Sequence, residues 1–67
     1  MISSTEKELI EMMVDFGVAD DLIHVVCSNL SEKQQVKAIS LLDLHFEKHK
    51  EITDEDILKI LLLLTRP

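Results

Sequence analysis

The sequence of 67 residues has no tryptophan or tyrosine, and it contains one glycine, one proline and one cysteine. A single glycine cannot build the glycine-rich loop with which many enzymes hold phosphate groups. The lone cysteine, Cys27, excludes an internal disulfide and favours a reducing, cytoplasmic setting. What remains is rich in Glu, Lys, Leu, Met, Gln and Ala, the residues that favour helices. The composition therefore indicates an all-α protein.

Basic residues are also scarce, with 7 Lys and Arg against 13 Asp and Glu, for a net charge of −6. Binding to nucleic acid depends largely on basic side chains that displace counterions from phosphates, so a nucleic-acid partner is disfavoured. The longest apolar stretch, at residues 57–64, is far shorter than the about 20 residues needed to span a bilayer. We therefore expect neither a membrane segment nor nucleic-acid binding.

Helix-capping patterns divide the chain. Ser3 to Glu6, Ser31 to Gln34 and Thr53 to Asp56 each place a hydroxyl residue three positions before an acid or amide that can complete a capping box. Gly17 suits the left-handed position after a helix. The sequence predicts a single-domain bundle of four short helices, completed by dimerisation, at about residues 4–16, 19–29, 32–48 and 54–65.

The apolar residues recur with helical period and predict which faces point inward. We expect the inward face of helix 1 to hold Leu9, Ile10, Met13, Val14 and Phe16. We expect that of helix 3 to hold Ala38, Ile39, Leu42 and Phe46.

Helix 4 is apolar on every side between residues 57 and 64, which is typical of a buried helix. It could be a core helix, a surface for self-association, or a docking site for another protein or a membrane surface. A chain of this size buries a small core and gains stability from association, so we favour a homodimer. The residues expected at the dimer interface are Leu41, Leu44, Leu58, Leu62 and Leu63.

An acidic stripe of Glu8, Glu11 and Asp15 lies opposite the predicted inward face of helix 1. Such a stripe is commonly just a solvated surface. It could also face a basic protein partner, such as a DNA-binding protein whose phosphate contacts the acidic side chains would imitate.

Two pairs of residues have the spacing of metal ligands. His45 and His49 are separated by one helical turn, as are His24 and Cys27, and together they could bind zinc with a Cys/His₃ ligand set. The alternative is that Cys27 is a small buried apolar residue and the histidines are solvated or assist a helix end. We expect no cofactor or bound metal.

Helices 2 and 3 could instead form a helix-turn-helix, with Lys33, Gln34, Gln35 and Lys37 near the start of its recognition helix. The acidic charge balance disfavours this alternative. Catalysis is not expected, because no motif places a nucleophile beside a base.

Residues 9–30, LIEMMVDFGVADDLIHVVCSNL, resemble the beginning of a ubiquitin-associated domain. In that family the loop glycine precedes an aromatic residue, whereas here Phe16 precedes Gly17, and helix 3 is longer than that family uses. No family is therefore assigned from the sequence. We expect a non-catalytic, homodimeric regulatory or accessory protein, of bacterial or phage origin. The alternatives are a helix-turn-helix regulator and a small zinc-stabilised domain.

Overall fold

The computed structural model describes residues 3–66, which form four helices and no strand. They are α1 (Ser4–Asp15), α2 (Asp20–Asn29), α3 (Glu32–His49) and α4 (Asp54–Thr65). The all-α prediction is confirmed, and each predicted boundary lies within one residue of the observed one. None of the helices in this range is long and apolar enough to cross a membrane.

Side chains cap three of the four helix starts. The hydroxyl of Ser3 accepts a hydrogen bond from the Glu6 amide at 3.1 Å. Reciprocal capping boxes begin α3, between Ser31 and Gln34, and α4, between Thr53 and Asp56. These contacts satisfy amides that have no partner within the helix, which explains why the helices begin where the sequence predicts.

The end of α1 requires a glycine. Gly17 has a φ of +80°, and its amide donates to the carbonyl of Val14 while the amide of Val18 donates to that of Met13. This pair of bonds is a Schellman motif, which reverses the chain after a helix. Val18 and Met13 are both buried, so the turn also adds an apolar contact.

Long-range side-chain bonds fix the helix directions. The Gln34 amide donates to the Leu64 carbonyl at 2.8 Å, so the start of α3 lies beside the end of α4 and the two helices are antiparallel. Asp54 accepts from the Ala19 amide at 3.3 Å, which joins the start of α2 to the start of α4. Helix α1 packs against α2 and α3, and α4 packs against the same two helices. The order around the bundle is therefore α1, α2, α4, α3.

The core lies between all four helices, with Leu9, Met13 and Leu42 fully buried. Ala38 is also buried, and Ile10, Ile39 and Phe16 pack partly buried against the core, as predicted. Phe46 was also expected on the inward face, but 38% of its surface is exposed; its ring packs at a tilt of 35° against that of Phe16, with centroids 5.0 Å apart.

The prediction that Val14 points inward is wrong, because 55% of its surface is exposed. It lies at the edge of the apolar face of α1, beside a groove between α1 and α2 that neighbouring side chains leave open. The burial of Gln35 was not predicted. Its amide group donates to the Leu30 carbonyl at 3.2 Å and to the Glu6 carboxylate at 3.3 Å, which compensates for its removal from water.

Candidate functional site

Helix α4 divides into a face that packs on the core and an outer surface. Ile57 is buried, and Ile60, Leu61 and Leu64 are partly buried against the other helices. Three further leucines are exposed. They are Leu58 at 46%, Leu62 at 67% and Leu63 at 58%. Large apolar side chains exposed together on one short helix are unusual for a monomer and are typical of an interaction surface.

A groove runs between α3 and α4 on the outside of the bundle. Its apolar lining comes from both helices, with Leu41 and Leu44 on α3 and Ile60 and Leu63 on α4, around a volume of about 280 Å³. We call this the α3–α4 groove. It brings together three of the five predicted interface residues, because the antiparallel packing of the helices aligns Leu41 and Leu44 with Leu63.

The other two predicted interface residues lie outside the groove. Leu62 adjoins Leu63 in a shallow depression that Lys59 and Arg66 also line. Leu58 does not line the groove and lies about 140° around the helix from Leu63, at 3.6 residues per turn. It is, however, one helical turn and only about 40° away from Leu62. Leu62 therefore lies between Leu58 and Leu63 on the outer surface of α4.

Charged residues border the groove and differ in sign between the two ends of α4. Lys48 lines it, and Lys59 and Arg66 flank the adjoining Leu62. Glu55, at the opposite end of α4 from Arg66, is exposed on the same outward side by helical geometry. The outer surface of α4 is therefore acidic at its start and basic at its end.

The acidic stripe of α1 is exposed, as predicted. Glu8, Glu11 and Asp15 line a shallow depression together with Met12 and Phe16. In the described part of the chain, none of these three carboxylates belongs to an ion pair. Their charge is therefore not neutralised by neighbouring lysines.

A second groove lies between α1 and α2 and has a volume of about 500 Å³. We call it the α1–α2 groove. Its lining residues are Glu6, Ile10, Val14, Asp20, Ile23, His24, Cys27 and Ser28. Sequence reasoning did not identify this groove, because Ile10 and Val14 were assigned to the core. One signal in the sequence could have indicated the groove. The apolar residues of α1 extend over a wider face than the neighbouring helices cover, so some of them stay at the surface.

The four metal-ligand candidates are separated into two pairs. His24 and Cys27 lie in the α1–α2 groove, whereas His45 and His49 lie on α3 and face α4. Between residues 3 and 66, no three His, Cys, Asp or Glu side chains are grouped so that they could hold a metal ion. Burial, together with the charge of nearby Glu6, raises the pKa of the Cys27 thiol, which disfavours the thiolate that zinc needs.

His45 has a different contact, since its Nε2 lies 3.2 Å from a carboxylate oxygen of Asp56. The same carboxylate accepts hydrogen bonds from the amide and hydroxyl of Thr53. The backbone bond from Thr53 is the main cause that lowers the pKa of Asp56, and His45 adds a smaller effect. Asp56 therefore links the capping of α4 to the end of α3, and the arrangement is structural.

The residues of the alternative recognition helix are largely engaged within the chain. Gln34 bonds to Ser31 and to the Leu64 carbonyl, and Gln35 is buried. Only Lys33 and Lys37 remain exposed among the candidates for base contact. The amides that would read bases in a helix-turn-helix are thus committed to the fold.

Comparisons with protein-family models, with curated proteins and with solved structures find no significant match to this chain. The two grooves are therefore the features from which a function can be inferred.

Proposed function

We propose that this chain is a non-catalytic interaction protein that acts as a homodimer, with the α3–α4 groove and the adjoining Leu62 at the interface. The observation that carries this proposal is the apolar surface formed by the exposed Leu44, Leu62 and Leu63 together with the partly buried Leu41. Leu58 lies outside the groove but one helical turn from Leu62, so it borders this interface.

The hydrophobic effect favours covering this surface. Each leucine side chain is worth about 1.5–3 kcal/mol when it is moved fully out of water, and the exposed fractions of Leu44, Leu62 and Leu63 are all above one half. A domain of this size has a net stability of only about 3–5 kcal/mol from a single core. Covering the surface would therefore add substantially to the stability of the fold.

The charges of α4 favour a second copy of the chain as the partner. In a twofold dimer with antiparallel α4 helices, Glu55 of each copy would lie opposite Arg66 of the other. The acidic first turn of one helix, at Asp54, Glu55 and Asp56, would also lie near Arg66 of its partner. A twofold interface pairs one surface with itself, so the complementary ends of α4 are used twice.

Sedimentation equilibrium at tens of micromolar protein tests this proposal. We expect a dimer for the wild type, weaker association for Glu55→Arg and for Arg66→Glu, and recovery in the double charge reversal. Both residues are exposed, so the variants should remain folded. A monomeric wild type would overturn the dimer. A dimer in which the double variant is no better than the single variants would overturn the antiparallel arrangement.

A further inference from the structure

We propose that the α1–α2 groove binds an amphipathic helix of another protein, one that presents a short apolar stretch with a basic residue at each end. This interaction lies on a different pair of helices from the proposed dimer interface, so it is independent of dimerisation. It would allow the acidic half of the chain to recognise a partner that is both basic and apolar.

The floor of the groove is apolar, and Val14 is its most exposed residue. Ile10 and Val14 come from α1, one helical turn apart, and Ile23 comes from α2. Val14 is 55% exposed, although it continues the apolar face of its helix. Two antiparallel helices with apolar side chains between them form the kind of groove into which a third helix packs.

Acidic residues mark the two ends of this floor. Glu6, near the start of α1, lies close to Cys27, near the end of α2, so the two helices are antiparallel. Asp20, at the start of α2, therefore lies near Val14, at the end of α1. The Glu6 carboxylate accepts one hydrogen bond from Gln35, which leaves its other lone pairs for a ligand. Glu6 to Val14 spans eight residues, which corresponds to about 12 Å along the helix axis. The groove therefore offers a carboxylate, an apolar floor of about two helical turns, and a second carboxylate.

The charge surrounding the groove has the same sign. Residues 3–31 contain six acidic side chains and a single lysine, Lys7, and no Lys or Arg lines the groove. An acidic partner would be repelled here, whereas a basic one would be attracted over the range of a Debye length, about 8 Å at physiological ionic strength. Charge complementarity thus selects a basic helix as the occupant.

The spacing defines the sequence that such a helix should carry. Two basic residues about seven positions apart lie on one face of a helix and would reach the two carboxylates. Apolar residues at the third and fourth positions after the first basic residue would fill the floor. The recognition pattern is therefore Lys, two adjacent leucines and Lys on a single helical face.

A labelled alanine-based helical peptide with this pattern serves as the probe, and fluorescence anisotropy at low salt measures its binding to the full chain. We expect saturable binding that weakens as salt increases. Two control peptides separate the contributions. One replaces both lysines with glutamate and the other replaces both leucines with alanine, and each is expected to bind at least tenfold more weakly.

The variants Asp20→Lys and Asp21→Lys test whether binding depends on the charge within the groove or on the overall charge of the protein. Both residues are exposed in the first turn of α2 and both changes alter the net charge equally, but only Asp20 lines the groove. We expect Asp20→Lys to weaken binding at least fivefold and Asp21→Lys to change it less than twofold.

Three binding results would overturn the proposal. They are no binding of the probe, equal losses in the two variants, which would indicate diffuse attraction to an acidic protein, and tighter binding of the glutamate peptide. Nuclear magnetic resonance shift changes confined to the α3–α4 groove would also overturn it. Changes confined to Ile10, Val14 and Ile23 would support it.

Discussion

Replacing Leu63 with alanine is expected to weaken the proposed dimer by about two orders of magnitude. The change removes three carbon groups, worth about 2.4 kcal/mol when they are fully buried. Leu63 is 58% exposed in the isolated chain, so dimerisation could cover a share worth about 1.4 kcal/mol per copy. A twofold interface contains the residue twice, which gives about 2.8 kcal/mol, or about a 100-fold increase in Kd.

The same substitution should lower the free energy of unfolding of the isolated chain by a smaller amount. The part of Leu63 that is already covered in the isolated chain corresponds to about 1 kcal/mol. Val25→Ala is the control, because Val25 is an apolar residue of α2 that is 42% exposed and does not line the α3–α4 groove. The change removes two carbon groups, so its cost to the free energy of unfolding is expected to be about 0.9 kcal/mol, without an effect on the Kd of the dimer.

Sedimentation velocity over a concentration series gives the Kd of each variant, and urea denaturation monitored by circular dichroism gives its stability. The reasoning fails if Val25→Ala and Leu63→Ala weaken the dimer equally, because the loss would then not depend on the α3–α4 groove. It also fails if Leu63→Ala destabilises the fold as a fully buried leucine would, by several kcal/mol.

Three further predictions concern stability, each checked by urea denaturation. Gln35→Ala should cost about 2 kcal/mol, because it leaves the Leu30 carbonyl without its side-chain donor, and a neutral result would mean that water replaces the amide. Glu11→Lys should change stability by less than about 0.5 kcal/mol, since Glu11 is exposed, and a larger loss would contradict the assigned faces of α1. Asp56 has a pKa below the ordinary aspartate value of 3.8, so its carboxylate stabilises the fold above that pH and loses this effect as the pH falls through the lowered pKa. The difference in stability between the wild type and Asp56→Asn should therefore shrink below pH 3.8, and a difference that is independent of pH would contradict the role of the carboxylate.

The helices could be predicted because their ends are encoded locally. Ser31, Thr53 and Gly17 act through contacts with residues no more than a few positions away. Helical period alone also separated Leu9 and Met13, which are buried, from Glu11, which is exposed. These features need no knowledge of which helices pack together.

The candidate sites depend on which helices pack together, and local sequence patterns do not reveal this pairing. Periodicity placed Val14 on the inward face of α1, but its burial depends on how closely α2 approaches, and α2 leaves it exposed. Likewise, Leu58 and Leu63 are equally apolar in the sequence. The antiparallel packing of α3 on α4 places Leu63 beside Leu41 and Leu44 and leaves Leu58 apart. Gln35 could not be assigned to the interior because its two partners lie in α1 and before α3.

The bond between the Ala19 amide and Asp54 makes the start of α2 depend on α4. Helix α2 has no side-chain cap of its own, and the carboxylate that satisfies this amide belongs to a residue 35 positions later in the chain. Fraying of the start of α4 would therefore also uncap α2. The two helices should for this reason unfold together rather than one at a time.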